Sequence, residues 1–220
     1  FRSIPNNFEN HMHSNPFTDE ELARRLNSVR AEMSQLGLDI ILLSSPENIF
    51  YLIGLDHWGY FAPTTLIVPA WGDMVLITRQ MEEVVIRNQV RNAAFIGHRD
   101  SETAADVLIC YLKGKTTQKK VGIEAWSSGL AFGMGVKLAD GIRVGDWVDI
   151  SGMLDEIRLI KSSEEQTYMR LAAKAADAGT QASIDAIHDG ALESEVAAEC
   201  LAAMTRAGST PPGFGPFLRP

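Results

Sequence analysis

Apolar positions recur every three or four residues near the start of the chain, which is the spacing of one face of a helix. In the segment FTDEELARRLNSVRAEMSQLG this stripe consists of Leu22, Leu26, Val29, Met33 and Leu36. The pattern therefore predicts an amphipathic helix whose apolar face packs on a core.

The two ends of this helix are also marked in the sequence. Thr18 and Glu21 have the spacing of a capping box, and Phe17 is placed to pack on Leu22 as a hydrophobic staple. Gly37 follows the last apolar position and favours termination of the helix there. The sequence thus predicts a helix that begins after Thr18 and ends before Gly37.

Short apolar runs farther along the chain predict strands. DIILLS is a continuous run typical of a strand covered on both faces, and TTLIVPAWGDMVLIT places two β-branched runs around Trp71-Gly72-Asp73, which predicts a hairpin. AAFIGH, KKVGIE and IRVGDWVDI add three more strands, and helical spacing marks PENIFYLIG, QMEEVVIRNQV, TAADVLICYLKG and SSGLAFGMGVKLAD. This alternation predicts an α/β fold with a mixed sheet flanked by helices.

The pattern changes after residue 152, because no strand separates the helices that follow. An Ala-rich helix is expected with Ser162 or Ser163 as its cap, and ESEVAAECLAAMTRAG predicts a second helix that ends at Gly208. We therefore expect an N-terminal arm (1–17), a first domain (18–152) and an incomplete second domain (153–220). Two helices alone have no sheet on which to bury their apolar faces, so we expect Pro220 to be a cut within a longer protein.

Composition and charge narrow the classes of partner. The net charge of −8 argues against a general nucleic-acid or anionic-membrane surface. No apolar run approaches the length of a membrane span, so we expect neither nucleic acid nor membrane as a partner. Cys110 and Cys200 lie in apolar helical patterns, which predicts buried, reduced thiols and a cytoplasmic location.

Motifs for metal or nucleophilic chemistry are weak. His11 and His13 have a spacing that can hold a transition metal, but the same residues also suit a polar arm. The histidines form neither an HExxH motif nor a zinc-type Cys/His pair, GLAFGMGVK does not match a phosphate loop, and AWSSG is not GxSxG. The motifs by themselves therefore give little support for a metal site or a catalytic residue within this chain.

An aromatic loop is the strongest candidate for contact with a ligand or partner. The stretch GLDHWGYFAPTTLIVP brings His57, Trp58, Tyr60 and Phe61 together between a predicted helix and the hairpin. A loop of this kind on a rigid scaffold suits binding, whereas the alternative is a loop folded back onto its own core. The sequence leaves both alternatives open.

Three stretches together resemble the creatinase/prolidase/aminopeptidase P family, the pita-bread metallohydrolases. They are LARRLNSVRAEMSQLGLDIILLSSPENIFYLIG, in which Leu22 stands where family members often have tyrosine, then DEIRLIKSSEEQTYMRLAAKAADAG, and ALESEVAAECLAAMTRAGSTPPGFGPFLRP. The resemblance covers residues 18–220 and is most specific over 155–170. It implies a creatinase-type N-terminal domain followed by the first helices of a pita-bread α+β catalytic domain.

The resemblance also implies an activity. Family members hydrolyse Xaa-Pro peptides or a related small-molecule C–N bond with two divalent metal ions (Mn, Zn or Co), which are held by two Asp, one His and two Glu. All five ligands would lie beyond Pro220, so we expect this fragment to bind no metal and to be inactive by itself. The alternative is a non-catalytic pita-bread relative that acts as a binding or dimerisation module.

Candidate substrate-binding residues follow from the same resemblance. Family homodimers place the N-terminal domain of one subunit over the active site of the other, so Trp58, Tyr60 and Phe61 are expected to cover a small peptide or small-molecule substrate of the partner. Phe214, Phe217 and Arg219 correspond to the segment that walls the pocket. The alternatives are core packing for the two phenylalanines and a solvent-exposed side chain for the arginine.

One departure from the family pattern bears on the substrate. Creatinases carry an arginine in the loop before the hairpin, where this chain has Ala62 or Pro63. This difference argues against creatine as the substrate.

Overall fold

The structure is a computed structural model that describes residues 15–210. Most of the predicted arm, with His11 and His13, lies outside the described residues, as do Phe214, Phe217 and Arg219. The chain divides into two compact units, with the division after Leu159.

A six-stranded mixed sheet forms the centre of the first unit. Its strands are β1 (Ile40–Leu43), β2 (Thr65–Pro69), β3 (Met74–Arg79), β4 (Ala93–His98), β5 (Lys120–Ile123) and β6 (Asp146–Asp149). They lie in the order β4-β3-β2-β1-β5-β6. β2 is antiparallel to both β1 and β3, whereas the pairs β3–β4, β1–β5 and β5–β6 are parallel. The predicted mixed sheet is confirmed.

Helices cover both faces of this sheet. They are α1 (Asp19–Leu36), α2 (Pro46–Ile53), α3 (Glu83–Gln89), α4 (Ala104–Leu112), α5 (Phe132–Gly141) and α6 (Met153–Arg158). α1, α2, α3 and α6 bury side chains in the core on one face, and α4 and α5 do so on the other. The alternation of β1 makes this possible, because Ile41 and Leu43 belong to the first core and Ile40 and Leu42 to the second.

The first helix agrees closely with its sequence pattern. Thr18 accepts a hydrogen bond from the Glu21 amide at 3.2 Å, and Gly37 ends the helix at a φ of 66°. Val29 and Met33 are fully buried. Leu36 is 42% exposed, because the apolar stripe runs past the edge of the core in the last turn.

The hairpin turn between β2 and β3 is held by a side chain of α1 as well as by its own sequence. Gly72 has a φ of 94°, which favours glycine. Arg30 of α1 donates to the carbonyl of Pro69 at 3.2 Å and to the carbonyl of Gly72. The predicted hairpin is confirmed, and α1 holds its turn in place.

As far as residue 210, the second unit consists of two helices, α7 (Ser163–Ala186) and α8 (Glu193–Arg206). Ser162 caps α7 in a capping box with Glu165, which decides between the two predicted cap residues. A Cβ atom on Gly179 would lie 2.5 Å from Cγ of Met204, so the two helices pack closely at this glycine.

The compact first unit includes α6 and continues to Leu159, because Leu154 of α6 is buried in its core. The domain bounds expected from the sequence stay a prediction, whereas one other detail differs from its expectation. Cys200 is buried, but the prediction of burial is wrong for Cys110. Leu108 and Leu112 of α4 face the core, and Cys110 lies between them on the outer side of the helix.

None of the helices within the described residues combines the length and the apolar character required to cross a bilayer. The predicted cytoplasmic location stays a prediction.

The burial of Leu154 gives a test of the extent of the first unit. We expect Leu154→Ala to lower the free energy of unfolding of this unit by about 2–5 kcal/mol, because it leaves a cavity in the core. All four tryptophans precede residue 160, so tryptophan fluorescence during urea titration reports this unit. Leu159→Ala is the matched control, since Leu159 is 64% exposed. Equal effects of the two substitutions would contradict the assignment of α6 to this core.

Candidate functional site

The predicted aromatic residues lie in the loop between α2 and β2, where Trp58–Phe61 form a short 3-10 helix. Tyr60 is partly buried against the core, and its hydroxyl donates to the carbonyl of Leu55 at 2.9 Å. Phe61 is 79% exposed. The two alternatives from the sequence therefore apply to different residues: Tyr60 folds back onto the protein, and Phe61 faces solvent.

Side chains from α3 and from the turn before it hold this loop. The Gln89 side chain accepts from the Asp56 amide at 2.7 Å and donates to the Asp56 carbonyl at 2.9 Å. Nδ1 of His57 lies 3.2 Å from a carboxylate oxygen of Glu82, and the His57 ring lies 4.4 Å from the Tyr60 ring between centroids. These contacts fix the loop on the first unit.

The electrostatic environment keeps Tyr60 as a neutral phenol. Burial raises the pKa of Tyr60 well above its usual value, and the charges of Asp56 and Glu47 raise the pKa further. A tyrosine hydroxyl is protonated at neutral pH in any case, and the raised pKa keeps it protonated, as the donor to Leu55, into the alkaline range as well. Its role in the loop is to position the backbone.

A buried carboxylate that the sequence did not single out lies near the start of α2. Glu124, just after β5, is 3% exposed. Its Oε2 accepts from the amides of Ser44 and Ser45 at 2.6 and 2.7 Å, and its Oε1 accepts from Nδ2 of Asn48 at 2.5 Å. A negative charge at the start of a helix is favourable, because the free amides and the helix dipole both point at it.

The same network reaches α6. Arg158 donates to Oδ1 of Asn48 at 2.8 Å, so both ends of the Asn48 amide are engaged. The carboxyl ends of β1 and β5 meet here, which is where open α/β sheets often bind ligands. In this chain the carboxylate oxygens of Glu124 are used by the protein itself. We therefore assign Glu124 a structural role.

The described residues do not form a metal centre. Within 15–210, no group of three or more His, Cys, Asp or Glu side chains is arranged to hold a metal ion. The pair of His57 and Glu82 is too small a donor set for a dinuclear site. The two predicted divalent ions remain a prediction for a longer protein.

Comparison with known proteins identifies a family whose model matches most of this chain. Residues 25–160 match the family model described as the creatinase/prolidase N-terminal domain. The uncharacterized hydrolase/peptidase y4tL of Sinorhizobium fredii is 28% identical over 200 residues, which cover 86% of this chain and 51% of that protein. The ectoine hydrolase of Halomonas elongata is 37% identical over 67 residues, which cover 30% of this chain and 17% of that protein.

Solved structures show the same fold. The recombinant prolidase from Thermococcus sibiricus aligns with a TM-score of 0.72 at 21% identity, over 86% of this chain and 51% of the prolidase chain. At this identity the likeness concerns the fold alone, and it confirms the predicted fold class. The chain spans about half the length of y4tL and of this prolidase.

The network around Glu124 predicts a specific loss of stability. We expect Glu124→Gln to lower the free energy of unfolding by about 1–3 kcal/mol, because an amide cannot accept from three donors as the carboxylate does. Urea titration followed by tryptophan fluorescence measures this change. Glu156→Gln, at an exposed position on α6, is the matched control and should change stability little. A Glu124→Gln protein as stable as the parent would contradict the capping role.

Proposed function

Because the chain belongs to the creatinase/prolidase N-terminal domain family, we propose that it is the N-terminal part of a metal-dependent hydrolase that cleaves Xaa-Pro peptides or a related small-molecule C–N bond. The family match over residues 25–160 is the observation that carries this proposal. The names of the relatives, which include a hydrolase/peptidase and an ectoine hydrolase, support it.

The chemistry is proposed to lie outside residues 15–210, which hold no group of side chains fit for a metal ion. Two divalent ions (Mn, Zn or Co) bound elsewhere in the full-length protein would polarise the scissile carbonyl and activate water. The role that we propose for residues 15–210 is to hold and cover a substrate.

We propose that the aromatic loop performs this part across a homodimer. The Gln89 side chain fixes the loop backbone at Asp56, and the Tyr60 hydroxyl fixes it at Leu55, so the exposed ring of Phe61 is presented on a rigid support. Burial of an exposed aromatic ring against a neighbouring subunit is favourable, and a rigid loop loses little entropy in the process.

Creatine is a poor candidate for the substrate. No arginine lies in the loop between α2 and β2, and Ala62 is buried there. A carboxylate near this loop therefore lacks the bidentate donor that an arginine supplies. Peptides ending in proline and other small C–N compounds remain as the proposed substrates.

The test is expression of the full coding sequence that contains this chain. After treatment with a chelator, the protein should hydrolyse Xaa-Pro dipeptides only when Mn, Zn or Co is restored, as measured by release of free proline. Ectoine and creatine complete the substrate panel. A full-length protein with no metal-dependent hydrolysis of any panel member would overturn the proposal in favour of a non-catalytic binding module.

Within that protein, Phe61 gives a test of the covering role. We expect Phe61→Ala to raise KM about threefold to tenfold with a smaller change in kcat, because it removes apolar contact that holds the bound substrate. Trp71→Ala is the matched control, since Trp71 is an 89% exposed aromatic residue in the hairpin turn. Equal KM values for the parent and both variants would show that Phe61 does not contact the substrate.

A further inference from the structure

An apolar groove lies on the outer side of the first unit, between α5 and β6. It has a volume of about 430 Å³, and every residue that lines it is apolar or glycine. Its principal lining residues are Ile123, Leu130, Phe132, Val136, Ala139 and Trp147. We call this feature the α5–β6 groove.

The rim of the groove exposes large apolar side chains. Phe132 is 88% exposed and Val136 is 44% exposed, and both lie on the same side of α5, one turn apart. Trp126, next to the groove residue Ala125, is 86% exposed. Single exposed apolar residues are ordinary, but a contiguous apolar patch that borders a groove marks an interaction site.

Hydrogen bonds hold the loop that carries Trp126. The Trp126 amide donates to the hydroxyl of Ser151 at 3.0 Å. The Ala125 amide donates to a carboxylate oxygen of Asp149 at 3.4 Å, and Asp149 also accepts from the Ser151 hydroxyl at 2.6 Å. An aromatic side chain on a fixed backbone is a suitable anchor for a partner.

The groove borders an open edge of the sheet. β6 pairs with β5 on one side, and within residues 15–210 no strand pairs with its other side. Trp147 of β6 lines the groove, so the open edge and the apolar surface are continuous. An extended peptide can add to such an edge through backbone hydrogen bonds while its alternate side chains enter adjacent pockets.

Charges on β6 decide which occupant fits. Asp146 and Asp149 are both exposed. Antiparallel pairing of all four β6 residues with those of a second copy would place Asp146 opposite Asp149, and like charges directly opposite are destabilising. Lys120 of β5 is paired with Asp146. Its side-chain ammonium group donates to the carbonyl of Leu36 at 2.9 Å. The edge therefore disfavours a second copy and favours a strand with basic ends.

We propose that the α5–β6 groove and the open edge of β6 bind an extended segment of a partner protein, in which apolar side chains alternate with polar ones and lysine or arginine stands at the ends. The partner strand extends the sheet beyond β6. Its apolar side chains pack on Trp147 and Val136, and its basic ends lie near Asp146 and Asp149. This binding does not depend on the proposed hydrolase activity.

The test uses a set of fluorescent hexapeptides that alternate apolar and polar residues and carry either lysine or glutamate at both ends. Fluorescence anisotropy with this chain should show binding of lysine-ended members and much weaker binding of glutamate-ended ones. Amide shifts in NMR spectra should be confined to β6 and α5. Absence of binding by every member at millimolar concentration would overturn the proposal.

Variants separate the groove from other surfaces. We expect Val136→Asp to weaken binding at least about tenfold, as loss of a central apolar contact does. We expect Asp146→Asn to weaken it about threefold, as loss of an exposed ion pair does. Val84→Asp is the matched control, since Val84 is 70% exposed on α3, and it should leave binding unchanged. Equal weakening by Val136→Asp and Val84→Asp contradicts a site at the groove.

The oligomeric state shows whether a second copy of this chain, rather than a partner protein, occupies the groove. Light scattering should show the same mass for the parent chain and for Val136→Asp at all concentrations. A dimer that forms through the groove, and that Val136→Asp abolishes, would overturn the proposal in favour of a second copy. Circular dichroism shows whether each variant is folded. If Val136→Asp is not folded, Ala139→Arg at the same groove replaces it.

Discussion

The carboxylate of Glu124 joins more elements of the first unit than any other polar group described above. It lies just after β5, accepts from the amides at the end of β1 and start of α2, and reaches α6 through Asn48 and Arg158. A buried charge is costly unless its hydrogen bonds are satisfied, and the positions of its donors are therefore fixed together. The place of α2 on the sheet therefore depends in part on this requirement.

A second buried charge secures α2 from the side of α1. Arg25 is fully buried, donates to a carboxylate oxygen of Glu21 at 2.8 Å and to the carbonyl of Tyr51 at 2.9 Å, and lies against the rings of Phe17 and Tyr51. Arginine suits this position because its planar group stacks on aromatic rings and donates in several directions at once. The aromatic loop begins where α2 ends, so the two buried charges together help to set where that loop leaves the helix.

The strands and most helices were predictable because their signals are local. Four consecutive buried residues in β1, the Thr18 cap and the glycine at 37 each act within a few positions of the chain. What was missed depends on distant residues or on short elements. Glu124 acts on partners 76 to 80 residues away, which no local pattern reveals. α6 has six residues, too few for a periodic signal, and the exposure of Cys110 depends on which side of α4 meets the sheet.

The order of strands also has a consequence for how the chain acquires its structure during synthesis. β1 lies inside the sheet between β2 and β5, yet β5 begins about 80 residues after β1. The hairpin of β2 and β3 can form on β1 early, because those contacts are close in sequence, whereas the other edge of β1 has to wait for residue 120 and beyond. A nascent chain that has reached only β4 therefore presents an apolar, unpaired strand edge, and it also lacks Glu124, the acceptor for the amides at the start of α2.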